Sequence, residues 1–136
     1  MAAITIVAAS VRIVRIDQGI TAPTAEAIVA GAYVRLNVTT GKLEYGNGTN
    51  ATEVGKQGYI ATRSVASGET VTAMKKGILD LGEALASTAF DAQIFVNDTD
   101  NVLGDAAGTV SKVVGTVFPG WATSTANADK LLLVDL

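Results

Sequence analysis

The stretch 97–105, NDTDNVLGD, is the part of the chain best suited to bind a metal ion. Its oxygen-bearing side chains, the kind of ligand that calcium prefers, are those of Asp98, Asp100, Asn101 and Asp105. The spacing departs from an EF-hand loop, because Leu103 stands at the glycine position and Thr109 at the terminal glutamate position. Asn, Asp and Gly also form ordinary turns. We therefore predict a hairpin turn here and no metal site.

Two glycine-rich stretches, GNG at 46–48 and GKQG at 55–58, are candidates for a phosphate-binding loop. Neither completes a P-loop, because no Gly-Lys-Ser/Thr sequence is present and no helix pattern follows. We interpret both as loops.

Catalytic residues are scarce. The chain has no histidine, which is the commonest general base. Asp80 and Glu83 are better explained as residues that start a helix than as a glycosidase pair. No sequence signature marks a nucleophile. We therefore expect a protein that is not an enzyme, with no catalytic residues and no cofactor.

Composition narrows the class of protein further. The absence of cysteine excludes disulfides and thiolate metal sites. Residues 1–79 carry eight basic and five acidic side chains, and residues 80–136 carry two and eight, which gives +3 against −6. No concentrated basic region indicates nucleic-acid binding, and no run of 18 apolar residues could span a bilayer as a helix. We therefore expect neither nucleic acid nor a membrane as a partner.

Apolar residues are unusually frequent for a chain with so few charges. They make up 49% of the sequence, and charged residues make up 17%, against roughly 25% in typical domains. Either alanine and valine alone account for the excess, or another chain covers an apolar surface. We favour a covered surface.

Strand patterns separated by glycine turns recur along the chain. They predict a mainly β fold, a small single-domain barrel or sandwich of roughly eight to ten short strands with at most one or two short helices. The clearest hairpins cover 33–45 and 58–77, and Gly68 is available for a positive φ in the second turn. Other segments predicted are strands at 4–17, on both sides of the 97–105 turn within 92–108, at 109–120 and at 131–136, loops at 19–27 and 46–57, and a short helix or single turn at 78–90.

Residues 1–25 are predicted to form an N-terminal strand or arm, and residues 26–136 a barrel-like domain. The stretch ITIVAASVRIVR at 4–15 is either an ordinary strand or an arm that adds to the sheet of a neighbouring protein through main-chain hydrogen bonds. Trp121 is either a loop anchor or an interface anchor, since tryptophan is enriched in binding hot spots. The candidate contact residues are Ile4, Ile6, Val7, Val11, Arg12, Ile13, Arg15 and Trp121.

Four stretches carry a resemblance to a known family. They are AGAYVRLNVTTGKLEYG at 30–46, KQGYIATRSVASGETVTAMKKGILDLGEALA at 56–86, AQIFVNDTDNVLGDAAGTVSKVVGTVF at 92–118 and KLLLVDL at 130–136. Their succession of strands and glycine turns resembles that of the capsid cement, or head decoration, proteins of tailed bacteriophages. The resemblance covers about residues 28–136 and includes no catalytic signature.

The resemblance implies a barrel-like structural protein of the virion, on the outside of the capsid. It implies binding to the outer surface of the phage head as a homotrimer, where the protein clamps neighbouring subunits of the major capsid protein. It implies no enzyme activity and no cofactor, and it supplies no site residues. The alternative from another class is a small ligand- or glycan-binding β-barrel module, although one Trp and three Tyr are few aromatics for such a pocket.

Overall fold

The computed structural model describes residues 3–120 and 129–136, and a single antiparallel sheet dominates it. Its strands are β1 (Arg12–Pro23), β2 (Tyr33–Leu36), β3 (Leu43–Tyr45), β4 (Gly58–Ala61), β5 (Thr70–Asp80), β6 (Gln93–Val96), β7 (Leu103–Gly104), β8 (Val113–Pro119) and β9 (Lys130–Asp135). The described helices are a 3-10 turn at Ala8–Ser10 and the short helix α1 at Ala51–Val54. The sheet curls into a half-barrel, which confirms the predicted mainly β fold.

Both predicted hairpins are confirmed. Strands β2 and β3 pair with Val34 opposite Tyr45, and β4 and β5 pair with Ile60 opposite Met74. The second turn uses Gly68 at a φ of 85°, a conformation that glycine adopts without a steric cost. The two strands predicted within 92–108 are β6 and β7, but β7 lies inside 97–105, so the turn is shorter than predicted. The chain's last strand, β9, pairs with β5 and β8.

Strand β5 organises the sheet. One of its edges pairs with β1 from Thr70 to Asp80. Its other edge therefore holds two strands in succession, β4 at Ala73 and Met74 and then β9 from Lys76 to Leu79. The sheet divides at β5 into one branch through β4, β2 and β3 and another through β9, β8, β6 and β7.

Alternating side chains of β2, β4 and β5 fill two separate cores, because successive residues of a strand point to opposite faces. The larger core includes Tyr33, Ile60, Met74, Leu79, Ile94, Leu103, Val117 and Leu132. The smaller core includes Ile28, Val34, Leu43, Tyr59, Ala61, Val71 and Ala73. Both faces of this part of the sheet are therefore buried.

The prediction of a helix over 78–90 was wrong in its first residues. Strand β5 continues through Ile78 and Leu79, which pair with β1 on one side and β9 on the other. After it, residues 82–88 form successive turns, and the Asp80 carboxylate accepts the Gly82 amide at 2.8 Å. Gly82 has a φ of 65°, which a right-handed helix excludes.

A helix lies instead inside the predicted loop 46–57. The Asn50 side chain accepts the Glu53 amide at 2.9 Å and so caps helix α1. The predicted loop at 19–27 was wrong over 19–23, where β1 continues to Pro23 opposite Thr70. The predicted strand at 4–17 begins only at Arg12, since the preceding residues lie outside the named strands.

Candidate interaction surface

The N-terminal segment 3–11 lies against the larger core. The Ile4 amide donates to the Leu103 carbonyl at 2.9 Å, and Ala3 forms an isolated bridge with Gly104. The partly buried side chains that pack on the core from this segment are those of Ile4, Ile6 and Val11. Val7 points outward and is 61% exposed. Only part of the segment is therefore available to another protein.

Two outer edges of the sheet are covered by the chain itself. Residues 24–26 cover β3, because Thr24 bridges Leu43 and the Ala25 amide donates to the Leu43 carbonyl at 2.8 Å. Ala3 and Ile4 cover β7 in the same way. Strand β1 differs: within 3–120 and 129–136, its pairing partner is β5, and no described strand lies along its second edge.

The first half of β1 exposes apolar side chains on both faces. Ile13 is 47% exposed, and Val14 and Ile16 are each 41% exposed. A strand in which both alternating sets of side chains are apolar is typical of a sheet buried on both sides. An open edge with exposed aliphatic side chains is a site where another strand can add. We call residues 14–18 the open edge.

Two charged side chains, those of Arg15 and Asp17, lie on the open edge. The Arg15 guanidinium contacts the Asp17 carboxylate, with Nε 3.0 Å from Oδ1. Both side chains are about half exposed, so an ion pair of this kind contributes only about 0–1 kcal/mol to stability. Their contact places both on one face of the strand, and Ile16 between them points to the other.

Bulges shape the same region. The register between β1 and β5 shifts between Ile13 and Arg15 and again between Ile16 and Gln18. Opposite Ile16, Gly77 has a φ of 149°, and a Cβ there would lie 2.3 Å from the Arg15 carbonyl oxygen. Only glycine allows β1 to approach β5 this closely. Gly77 therefore positions the open edge.

A cleft of about 190 Å³ adjoins the start of β1. Its lining residues are Thr5, Val7, Ser10, Leu81, Glu83 and Ala84. Arg12 and Ile13 follow in the chain and pair with Asp80 and Leu79 of β5. We call this cleft, together with Arg12 and Ile13, the docking patch. It combines aliphatic surface with a carboxylate and a guanidinium.

The candidate contact residues from the sequence divide into three groups. Those exposed at the docking patch or the open edge are Val7, Arg12, Ile13 and Arg15. Those packed on the core are Ile4, Ile6 and Val11. Trp121 lies outside the described residues. Sequence reasoning missed Val14, Ile16 and Asp17, although apolar side chains at both odd and even positions of 13–16 were a readable sign of two covered faces.

Protein donors already bind the carboxylates of the acidic turn. The Asp98 carboxylate accepts the Thr109 hydroxyl at 2.7 Å and the Thr109 amide at 2.8 Å, and these hydrogen bonds lower the pKa of Asp98. Asp100 accepts the Asn47 side-chain amide at 2.6 Å. Among the described residues, no three His, Cys, Asp or Glu side chains come together as a possible metal site.

One glycine from each of the glycine-rich stretches 46–48 and 55–58 packs against Tyr33. A Cβ on Gly46 would lie 2.7 Å from the ring, and one on Gly58 would lie 2.2 Å from the hydroxyl oxygen. That hydroxyl donates to the Val54 carbonyl at 2.6 Å, and burial raises the pKa of Tyr33 to about 12. Gly46 and Gly58 therefore have a packing role, because a side chain at either position would collide with Tyr33.

Comparisons with known proteins add no relative: no family model and no curated protein matches the chain. None of the helices in the described ranges is long and apolar enough to cross a membrane. A second described cleft, lined by Ile4, Gly31 and Leu103 among others, measures about 60 Å³. Both clefts are smaller than the roughly 300 Å³ at which small-molecule pockets begin.

Proposed function

We propose that this protein is a capsid decoration protein of a tailed bacteriophage. It binds the outer surface of the head and clamps neighbouring subunits of the major capsid protein. The observation that carries this proposal is the exposed aliphatic surface at the docking patch, led by Val7 and Ile13. Exposed apolar surface beside a cleft is typical of protein interaction sites.

The physical role follows from binding one state of the shell. A protein that binds only where several capsid subunits meet stabilises the assembled shell by mass action. The docking patch supplies apolar area, and the neighbouring Arg12 supplies charge that favours one orientation and a faster association. No step in this role needs a catalytic residue or a cofactor.

The alternative, a small ligand- or glycan-binding module, has less support. The clefts of about 60 and 190 Å³ are small for such a ligand. The cleft at the docking patch is also open to solvent beside exposed aliphatic side chains, an arrangement better suited to a protein surface.

Co-sedimentation with emptied phage heads tests the proposal. The neighbouring genes are examined first, because the proposal predicts that one of them encodes a major capsid protein, and the shell is then assembled from that protein. A genome with no such neighbour would count against the proposal. We expect wild-type protein to saturate the shell at a fixed ratio to capsid subunits. Failure to bind shells, together with stoichiometric binding of a soluble glycan, would favour the ligand-binding module.

Matched variants locate the docking surface. Val7→Glu and Ile13→Glu place a charge on the docking patch, so we expect each to reduce shell occupancy. Val38→Glu is the control, because Val38 is 87% exposed in the turn between β2 and β3. Equal occupancy for all three variants would place docking elsewhere on the protein.

A further inference from the structure

We propose that the open edge of β1 is self-complementary and pairs with the open edge of a second copy of this chain. The two strands run antiparallel about a two-fold axis through Ile16. This contact between copies is separate from docking to a shell and is testable in the free protein.

The edge itself is the first support. The chain covers the outer edges of β3 and β7 with its own residues, and among the described residues β1 alone of these three keeps a free edge. Free main-chain N–H and C=O groups along such an edge pair with another strand in the same way as within a sheet. The exposed Val14 and Ile16 side chains would be covered by the added strand.

Charge complementarity selects a second copy as the occupant. In an antiparallel pair centred on Ile16, Ile16 faces Ile16 of the other copy, and residues at equal distances on either side of it face each other. Arg15 of each copy then lies opposite Asp17 of the other, so the pairing forms two opposite-charge contacts related by symmetry. Directly opposite side chains of this kind interact across strands, and opposite charges stabilise the pair.

Neighbouring registers are disfavoured by the same two residues. Centring the two-fold axis on Arg15 would place two guanidinium groups opposite each other, and centring it on Asp17 would place two carboxylates opposite each other. Like charges directly opposite destabilise a strand pair. The sequence Arg15-Ile16-Asp17 therefore favours one register of self-pairing over its two neighbours.

The register with β5 skips Val14 and Asp17 and shifts again between Gln18 and Gly19, so the strand is irregular on both sides of Ile16 and the contact is short. Bulges twist an edge and are one way in which proteins restrict uncontrolled strand addition. A short contact between free molecules is therefore weak. Copies held close together by another surface would pair far more completely, because the second contact becomes intramolecular.

A single cysteine tests the geometry directly, because the natural chain has none. In Ile16→Cys, the two new thiols lie opposite each other at the two-fold axis, where Cβ atoms of paired residues are about 4.5–5.5 Å apart. We expect oxidation or a short bis-maleimide to give a covalent dimer several-fold more efficiently than in Val38→Cys. The control thiol sits at a more exposed position, so random collisions favour it.

Charge reversal provides a second test, with the Ile16→Cys protein as background. Arg15→Asp places acidic residues opposite each other, and Asp17→Arg places basic residues opposite each other, so each variant alone should cross-link poorly. A mixture of the two restores opposite charges at both positions and should recover the dimer. Circular dichroism of each variant checks that the fold is retained.

Two outcomes would overturn the proposal. One is a cross-linking yield for Ile16→Cys no higher than for Val38→Cys at every concentration up to the solubility limit. The other is a yield that neither charge reversal lowers and mixing does not change. Shell binding is measured separately, so failure of self-pairing and failure of the proposed function are distinguishable.

Discussion

The Tyr33 hydroxyl donates a hydrogen bond to the Val54 carbonyl oxygen at 2.6 Å. This contact ties β2 to the last residue of α1, across 21 positions of the chain. The Tyr33 side chain is fully buried, and Gly46 and Gly58 pack against its ring and hydroxyl. Together with the hydrogen bond from Arg35 to the Thr52 carbonyl, it fixes helix α1 against the sheet.

Replacing Tyr33 with phenylalanine should destabilise the protein by about 1–3 kcal/mol, because the Val54 carbonyl loses its buried partner. The native pKa of Tyr33, about 12, lies above the ordinary value of 10.0. Its contribution to stability is therefore complete below pH 10 and is lost as pH rises towards 12. Urea unfolding across that pH range should show a smaller alkaline loss in Tyr33→Phe than in wild type. Parallel losses in both proteins would contradict this expectation.

The hydrogen bonds that Thr109 donates to the Asp98 carboxylate predict that the stability of the protein falls at acidic pH. They lower the pKa of Asp98 below its ordinary value of 3.8, so the ionised carboxylate stabilises the folded state above that pH. The contribution is lost as pH falls below it. Asp98→Asn should therefore be less stable than wild type at pH 7, and the difference should shrink below about pH 4. Thermal melts at several pH values measure this. A difference that is constant with pH would oppose the assignment.

Calcium should not change the thermal stability. The carboxylates of Asp98 and Asp100 already accept hydrogen bonds from Thr109 and Asn47. We expect melting temperatures with added calcium and with a chelator to agree within error. A shift of several degrees that titrates with calcium would establish a metal site in the 97–105 turn.

The close approach of β1 to β5 makes Gly77 sensitive to substitution. Gly77→Ala combines a disfavoured φ with a Cβ 2.3 Å from the Arg15 carbonyl oxygen. Gly41→Ala is the matched control, because Gly41 also has a positive φ but no atom within 4 Å of the added Cβ. The control should lose only about 1–2 kcal/mol from its backbone conformation, and Gly77→Ala should lose more. Denaturant unfolding measures the loss in free energy of unfolding for both variants. Equal losses would show that β1 moves away from the added Cβ at no energetic cost.

On the shell we expect a homotrimer. The prediction rests on the apolar excess of a chain with 17% charged residues and on the exposed docking patch. A capsid reconstruction and native mass spectrometry of the free protein measure the number of copies. A monomer or a dimer in both settings would contradict the prediction, whereas a free monomer alone would mean that assembly is coupled to docking.

The fold class and most strands were predictable because their signals are local. Gly68 at a tight turn and the alternation in 33–45 and 58–77 specify hairpins whose partners are close in the chain. The acidic stretch 97–105 likewise contains its own turn residues, which lie between β6 and β7. Predicting these elements required no knowledge of contacts between distant parts of the chain.

The short helix or single turn predicted at 78–90 shows the limit of such signals, because the structure has turns there and continues β5 through Ile78 and Leu79. Leu81, Ala84 and Leu85 have helical spacing, yet Ile78 and Leu79 gain strand partners on both sides from β1 and β9. Those partners lie more than 50 positions away in the chain, so no local pattern reports them. Tertiary pairing overrides a weak local preference for helix.

The sequence by itself determined a cysteine-free, histidine-free β chain with an apolar, arginine-bearing stretch at 11–16. Only the tertiary structure decided which of those side chains are available to a partner. Ile4, Ile6 and Val11 reach the larger core, while Ile13, Val14 and Ile16 remain exposed. The physical reason is that an edge is a property of the whole sheet: within the described residues, β1 pairs with β5 along one edge, and no strand lies along its other edge.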